Sequence, residues 1–136
     1  RERPAATGHV HFSMAAIMEN REGIADQLKA VHYTVPALVP ATPWLGNTAP
    51  GTPTVRATPA AGGVKLKLTA GRANAQYAIW SRHGDQWKFA VAPASATDFN
   101  VADDAKHGPA SAVVVSAVDR LGNEGKRISV LNPATK

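Results

Sequence analysis

The chain has 136 residues, of which 44% are hydrophobic and 18% are charged, and its formal net charge is +5. This composition excludes a disordered polypeptide and suits one ordinary domain, or a small domain with a fragment attached. There is no cysteine, which excludes disulfides and thiolate chemistry, and no run of about 18 apolar residues that would span a membrane. The basic residues are dispersed and no aromatic-basic motif is present, so a solvated basic surface is favoured over nucleic-acid binding.

The N-terminal part of the chain has the pattern of one strand and one helix. Apolar and polar residues alternate over residues 8–14, which predicts a short strand. Asn20 is a candidate helix N-cap, and Ile24 and Leu28 share one helix face, so a helix is expected over residues 20–31. One such unit cannot bury its own apolar face and must pack against something else. The chain does not begin with Met and no apolar stretch follows its start, so we expect a piece of a longer protein without a signal peptide.

A proline-rich segment follows this strand and helix. Prolines occupy positions 36, 40, 43, 50 and 53, and each fixes φ and removes a backbone donor. The segment is therefore predicted to be an extended connector, with a domain boundary at about residue 47. This divides the chain into residues 1–46 and residues 47–136.

Short strands separated by turn signals recur from residue 52 onward. The predicted strands cover residues 54–57, 64–69, 76–82, 86–91, 97–101, 113–118 and 127–131. Seven short strands at this spacing predict a mainly β domain, a sandwich of two sheets.

The sixth strand has the clearest alternation, and it predicts which side chains are inside. Val115 is expected to face the core and Ser116 the solvent, because successive side chains point to opposite faces of a strand. On this prediction Ser116→Asp would cost little stability. Gly122-Asn123 then supplies residues that tolerate positive φ and permit a tight reversal before the last strand.

The aromatic residues of the third and fourth strands are the main candidates for binding. If residues 84–85 form a two-residue hairpin loop, Trp80 lies opposite Phe89, and Trp87 lies further along the same outer face. Such a patch could stack on sugar rings, or it could dock onto another domain together with Trp44. Both alternatives remain open at the level of the sequence.

Residues suited to catalysis or metal binding are few. His9 and His11 have a spacing that can hold a metal, but no third ligand is near, so histidines without a metal are favoured. The acids Asp103-Asp104, Glu19 and Glu22 are best explained as helix-terminal or solvated charges. We therefore predict no catalytic residue, no metal site and no cofactor in this chain.

Residues 52–131 resemble a fibronectin type III domain. The resemblance lies in Tyr77-Ala-Ile79, similar to the third strand of that family, and in Ala117-Val-Asp-Arg-Leu-Gly-Asn-Glu124, similar to its sixth strand and following turn. The usual tryptophan of the second strand is absent, and Leu66 or Leu68 fills that region. The resemblance implies a fibronectin type III-like, immunoglobulin-like sandwich of seven strands.

The N-terminal part resembles the end of the glycosyl-hydrolase-like family 10 domain. The motifs are Gly8-His-Val-His-Phe-Ser-Met-Ala-Ala-Ile-Met-Glu-Asn20, Gly23-Ile-Ala-Asp-Gln-Leu28 and Pro36-Ala-Leu-Val-Pro-Ala-Thr-Pro-Trp-Leu45. Members are bacterial (β/α)8 barrels, often lipoproteins, and commonly carry a fibronectin-like domain after the barrel. The resemblance implies that residues 8–14 are the last barrel strand and residues 20–31 its helix. Side chains near the end of that strand, His11 and Ser13, would then be placed to contact sugar.

The resemblance implies a function for the whole chain. It would be the non-catalytic C-terminal accessory region of a glycoside hydrolase that acts on a bacterial polysaccharide, with peptidoglycan glycan strands as a candidate substrate. Its partners would be its own upstream barrel and the polysaccharide, in the cell envelope or outside the cell. In the isolated piece, residues 8–31 would either dock on its own sandwich or associate with another copy. The alternative is a free-standing carbohydrate-binding or adhesion module that uses Trp80, Trp87 and Phe89. Neither interpretation needs nucleic acid or a cofactor.

Overall fold

The computed structural model describes residues 10–130. The chain divides into two compact units, Arg1–Thr34 and Val35–Lys136, which are described separately. The described part excludes residues 8 and 9, which begin the predicted strand over 8–14 and include His9. It also excludes Leu131, at the end of the predicted last strand.

The first unit is built from short helical segments. These are α1 (Met14–Met18), a 3-10 turn (Arg21–Gly23), α2 (Ile24–Gln27) and a π-helical stretch (Leu28–His32). A helical segment is therefore present where the sequence predicts one, but it is broken into pieces. The predicted strand differs: residues 10–13 lie outside any strand, and Met14 begins a helix. A strand needs a neighbour for its backbone groups, and the strand pairings of the described residues all lie within residues 54–130.

Asn20 caps α2 with its side chain. Its backbone is left-handed, with φ of 48°, and its Oδ1 accepts hydrogen bonds from the N–H groups of Ala25 at 2.9 Å and Asp26 at 3.3 Å. Its Nδ2 donates to Asp26 Oδ2 at 2.7 Å. Two free donors at the start of α2 are satisfied in this way, although Gly23 holds the N-cap position of that helix and Asn20 lies three residues before it.

The second unit is a β-sandwich. Its strands are β1 (Thr54–Ala60), β2 (Gly63–Thr69), β3 (Gln76–His83), β4 (Gln86–Pro93), β5 (Asp98–Ala102), β6 (Ala110–Val118) and β7 (Ile128–Val130). One sheet has the order β1-β2-β5 and the other β4-β3-β6-β7, with every neighbouring pair antiparallel. This is the seven-stranded, fibronectin type III-like sandwich that the sequence predicts.

The core lies between the inner faces of the two sheets. In β2 the apolar residues Val64, Leu66 and Leu68 are buried, while Lys65 and Lys67 are exposed. The opposing sheet contributes further buried side chains, among them Tyr77, Ile79, Val113 and Val115. Each fully buried aliphatic side chain contributes roughly 1.5–3 kcal/mol, so this alternation is the main source of the domain's stability.

Ser116 departs from the predicted pattern. It faces outward in β6 yet is fully buried, and its Oγ donates a hydrogen bond to Glu124 Oε1 at 2.8 Å. The chain after β6 folds back alongside the strand: Gly125 N–H donates to Ala117 O at 2.8 Å, and Val118 forms a bridge with Glu124. The expectation that Ser116 faces solvent is therefore wrong, because a following segment covers the outer face at this point.

The proline-rich connector is extended and belongs to the second unit. Thr42 donates twice to Leu121 O, from its backbone N–H at 2.9 Å and from its Oγ1 at 3.1 Å. Asn123 Nδ2 donates to Gly46 O at 2.9 Å. The compact unit begins at Val35, whereas the sequence places a boundary at about residue 47. Residues 42 and 46 are thus fastened to the sandwich although they precede that boundary.

Candidate functional site

The β3–β4 hairpin brings the predicted aromatic residues together. Its register pairs His83 with Gln86, so the loop has two residues, and it places Trp80 opposite Phe89 as predicted. Trp87 lies two positions from Phe89, and therefore on the same face of the sheet. We call Trp80, Phe89 and Arg127 the aromatic cluster, because Phe89 contacts the Trp80 ring and Arg127 lies over it.

The aromatic cluster is packed against itself. The ring centroids of Trp80 and Phe89 are 5.3 Å apart at an angle of 41°, and the Arg127 guanidinium carbon lies 4.5 Å from the centroid of the Trp80 ring. This is a cation–π arrangement. One face of the Trp80 ring is therefore occupied by a side chain of the domain, which limits the area available for stacking on a sugar.

Glu124 fixes the position of Arg127. Arg127 Nε donates to Glu124 Oε1 at 2.6 Å and Nη2 to Oε2 at 2.9 Å, a bidentate pair. The Arg127 guanidinium, and then the Ser116 hydroxyl, hold the pKa of the Glu124 carboxyl below its usual value. Glu124 in turn raises the pKa of Arg127. Both side chains are therefore charged at neutral pH and keep the guanidinium over Trp80.

The remaining tryptophans stand apart from this cluster. Trp87 is 53% exposed, and Trp44 is 77% exposed at the turn of residues 43–45 in the connector. Among the described residues, the structure records no ring contact between Trp44 and any aromatic residue of the hairpin. The structure thus brings Trp80, Phe89 and Trp87 to one face and does not join Trp44 to them.

The two candidate sugar contacts from the N-terminal part lie in the first unit. His11 Nε2 and the Tyr33 hydroxyl form a hydrogen bond of 2.8 Å, and their rings meet edge to face at 6.0 Å. Ser13 is half-buried and occupies the N-cap position of α1 without a hydrogen bond from its side chain to the helix. Tyr33 was not singled out from the sequence, because its contact with His11 depends on the fold. The sugar-binding role of His11 and Ser13 stays a prediction.

The turn after β6 is the contact surface for the connector. Asp119 Oδ1 accepts from the N–H groups of Leu121 and Asn123, each at 2.8 Å, and Oδ2 accepts from Asn123 Nδ2 at 2.9 Å. The Asn123 side chain is the chief cause of the lowered pKa of Asp119. We call residues 119–123 the connector clamp, because the same Asn123 amide also donates to Gly46 O.

Gly122 allows the close approach of the connector to this clamp. Its φ is +81°, and a Cβ atom there would lie 2.7 Å from Val39 O and 2.9 Å from Ala41 Cα. A side chain would collide with connector backbone, and an L-residue is strained at this φ. The sequence indicated the turn from Gly122-Asn123, but it carried no signal for the segment that packs against it.

His83 and Ser81 form a polar pair that the sequence did not indicate. His83 is fully buried; its Nδ1 lies 3.0 Å from Gly108 O and its Nε2 lies 3.0 Å from Ser81 Oγ. Because the carbonyl can only accept, Nδ1 carries the proton and Nε2 accepts from the serine hydroxyl. Both ring nitrogens are satisfied inside the domain, so the pair holds the end of β3 to the β5–β6 loop.

Two of the four acidic residues considered for catalysis, Asp104 and Glu19, have structural partners. Asp104 Oδ1 accepts from Lys106 N at 2.7 Å and His107 N at 2.6 Å, and Oδ2 pairs with Lys88. Lys88, followed by these backbone donors, holds the pKa of Asp104 well below its usual range. Glu19 pairs with Arg21 at 2.7 Å.

Within residues 10–130, no three side chains of His, Asp or Glu are placed to hold a metal ion together. In the same part of the chain, no helix has both the length and the apolar character that crossing a bilayer requires.

Comparison with known proteins adds one relative. The chain is 33% identical over 139 residues to the protein named Glycosyl hydrolase YngK from Bacillus subtilis (strain 168). The alignment covers 93% of this chain but 27% of that relative, so the chain spans about a quarter of the relative's length. No family model matches the sequence.

Among solved structures, the chain is similar to FN3tt, with 18% identity, a TM-score of 0.45 and coverage of 62% of this chain and 96% of that one. It is also similar to an FN3 domain of human collagen XX, with 19% identity, a TM-score of 0.46 and coverage of 71% and 100%. The fold assignment itself follows from the sheet order described above.

Proposed function

We propose that this chain is the C-terminal accessory region of a glycoside hydrolase and is itself non-catalytic. The observation that carries the proposal is the extent of the match to Glycosyl hydrolase YngK, which covers 93% of the chain. The unmatched remainder is too short to contain the whole first unit, Arg1–Thr34. The similarity therefore runs through the N-terminal unit, the connector and the sandwich, and not through a fibronectin-like domain alone.

The connector clamp favours a role in which the sandwich supports and orients the rest of the protein. The connector is hydrogen-bonded to the clamp through Thr42 and Gly46 and packs against Gly122. A proline-rich segment is already stiff, and these contacts remove much of its remaining freedom. In our proposal the sandwich fixes residues 39–46 of the connector against the clamp, and thereby orients the part of the protein that precedes the connector.

The acids of the described residues support the non-catalytic part of the proposal. Glycoside hydrolysis usually needs two carboxyl groups about 5–10 Å apart across the scissile bond, one of them protonated. Asp104 and Glu124 instead have lowered pKa values and are committed to Lys88 and Arg127. Such carboxylates stabilise loops and are poor general acids at neutral pH.

The finer parts of the proposal rest on the resemblance of residues 8–45 to the end of a glycosidase-like barrel. We propose an upstream barrel as the main partner, a bacterial polysaccharide as substrate, with peptidoglycan glycan strands as first candidate, and a location in the cell envelope or outside the cell. Phe12, Met14 and Met18 are at least 71% exposed, which supports both docking to a barrel and self-association of the isolated piece.

The test compares this chain with the longer protein that contains it. Each is incubated with purified peptidoglycan glycan strands, and new reducing ends are measured. We expect turnover by the longer protein and none by this chain. Glu19→Ala and Asp104→Ala variants of the chain serve as controls. If the chain did show turnover and either substitution abolished it, the active site would lie within these residues and the proposal would be contradicted.

A further inference from the structure

The outer face of the β1-β2-β5 sheet gathers basic residues that are scattered in the sequence. Arg56 lies on β1, Lys65 and Lys67 lie on β2, and all three are exposed. The outward positions of these three strands hold one carboxylate, Asp98 on β5, which is 3.2 Å from Lys65. Alternation along the strands sends the large apolar side chains of this sheet inward, so the exposed face is polar and positively charged.

Four outward residues of β1 and β2 surround a depression on this face. The register of β1 and β2 places Thr54 opposite Thr69 and Arg56 opposite Lys67. These four side chains line a depression of about 270 Å³. Two cations therefore occupy one side of it and two hydroxyl groups the other.

The charges around the depression are unbalanced within the domain. Arg56 and Lys67 are direct cross-strand neighbours, and like charges in that position destabilise a sheet. Lys67 also has Asp98 of β5 as a direct cross-strand neighbour, but that carboxylate forms its ion pair with Lys65 at 3.2 Å. Among the described residues, Arg56 is not in an ion pair. An anion bound between the two cations would relieve their repulsion.

We propose that this depression binds a carboxylate-bearing sugar of an acidic polysaccharide. Arg56 and Lys67 would donate to the carboxylate, and the hydroxyls of Thr54 and Thr69 would hydrogen-bond the neighbouring ring hydroxyls. The choice of a polysaccharide rests on the proposed function, and the choice of an acidic one rests on the charge of this face.

The composition of the face favours a polysaccharide over other polyanions. Binding of single-stranded nucleic acid relies on aromatic platforms for the bases, and the outward positions of β1, β2 and β5 hold no aromatic residue. A membrane-binding surface combines its cations with apolar or aromatic anchors, and large ones are likewise missing from these positions. Paired hydroxyls beside paired cations match a sugar acid, which presents both groups on one ring.

The experiment measures binding of the intact chain to polygalacturonate by calorimetry. Neutral dextran, single-stranded DNA and phosphatidylglycerol vesicles are the comparison ligands. The test variant is Arg56→Gln with Lys67→Gln, and the matched control is Arg120→Gln with Lys126→Gln. Both remove two exposed positive charges, so both lower the net charge equally. A third variant, Thr54→Val with Thr69→Val, keeps the charge and removes the hydroxyls.

We expect the Arg56/Lys67 variant to lose at least tenfold in affinity and the Arg120/Lys126 control less than twofold. The threonine variant should lose roughly threefold, since neutral hydrogen bonds contribute less than charge-assisted ones. The Arg56/Lys67 variant should unfold at about the same temperature as the unchanged chain, because the repulsion between Arg56 and Lys67 that it removes offsets the lost attraction between Lys67 and Asp98. A loss of binding would therefore not reflect a loss of fold.

Three outcomes would overturn the inference: no binding to polygalacturonate, equal losses in the two charge variants, or tighter binding to DNA or vesicles than to polygalacturonate. Equal losses would show that net charge alone attracts the polymer. The assay contains no hydrolysis step, so its failure would leave the reducing-end test of the proposed function unaffected. Conversely, an inactive longer protein would not alter the binding result.

Discussion

The outer faces of the two sheets contrast sharply. On the β4-β3-β6-β7 sheet, the segment after β6 returns over the strands, buries Ser116 and places Arg127 over Trp80. On the β1-β2-β5 sheet no segment within residues 10–130 crosses the outer face in this way, and Arg56 and Lys67 are exposed. Both faces obey the same alternation, so the comparison teaches that an outward position is a solvent position only where no other segment crosses it.

The largest expected effect tests the covered face at its centre. Ser116→Asp would bury a carboxylate beside Glu124, whose partner Arg127 is already engaged by both of its oxygens. We expect a loss of about 3 kcal/mol in the free energy of unfolding, as for other buried and unpaired charges. Urea denaturation at neutral pH measures it.

Ser129→Asp is the matched control for this change. Ser129 lies opposite Val114 in the same sheet and is exposed, so its replacement should change stability by no more than about 0.5 kcal/mol. Similar midpoints for the two variants would mean that the segment after β6 does not cover Ser116 in solution, and that the contrast between the faces fails.

A second pair of variants compares a turn of each sheet. Gly122 and Gly62 have positive φ values of +81° and +74°, but a Cβ at Gly122 would meet connector backbone at 2.7 Å, whereas one at Gly62 would meet nothing within 4 Å. Gly62→Ala should cost about 1 kcal/mol for its backbone conformation. Gly122→Ala should cost roughly 1–2 kcal/mol more, because the connector must move.

Thermal unfolding measures the cost of each glycine replacement, and limited proteolysis reports on the connector. We expect faster cleavage within residues 35–46 in Gly122→Ala and unchanged cleavage in Gly62→Ala. Equal stability losses with equal cleavage would refute the connector clamp and, with it, the main support for an orienting role.

The smallest effect concerns one carboxylate on each face. Arg127 lowers the pKa of Glu124, and Lys65 lowers that of Asp98. A carboxyl whose pKa is lowered in the folded state stabilises that state at every pH above its unfolded pKa. The unfolded pKa values are near the ordinary 4.5 for Glu124 and 3.8 for Asp98. The stabilisation disappears as the pH falls through the pKa of the folded state. The stability difference between the unchanged chain and Glu124→Gln should therefore be no more than about 1 kcal/mol at neutral pH and should shrink in acid.

The same measurement on Asp98→Asn sharpens the comparison through its salt dependence. Glu124 is partly covered, with 27% of its side chain exposed, whereas 46% of the Asp98 side chain is exposed. Added NaCl should abolish the effect of Asp98→Asn at neutral pH and leave most of that of Glu124→Gln, because exposed pairs are screened more strongly. Equal salt sensitivity would indicate that both faces are equally open to solvent.

Several features could be predicted because they depend on neighbours in the sequence. The inward set of β2, the two-residue loop between β3 and β4, and the pairing of Trp80 with Phe89 follow from a period of two and from turn chemistry. The strand over residues 8–14 was predicted from the same period. The structure differs at residues 10–14, because alternation indicates a strand only where a neighbouring strand is present to pair with it.

The candidate sites were less accessible to such reasoning. The Trp80–Phe89 contact was predicted, whereas the guanidinium over Trp80 was not, since Arg127 reaches it only after the chain has turned back. The His83–Gly108 hydrogen bond and the packing of Gly122 against Val39 likewise join residues from separate segments. Polarity and spacing along one segment contain no information about which distant segment will cover it.

The sequence by itself determined that this protein contains a seven-stranded sandwich and that Val115 of the sixth strand lies in its core, because the alternation of apolar residues is local and its burial dominates the free energy of folding. Only the tertiary structure decided that Ser116 is covered, that the connector is held by the turn after β6, and that Arg56 and Lys67 lie side by side. Each of these depends on the pairing of strands and the return of loops, which are set by the packing of the whole domain.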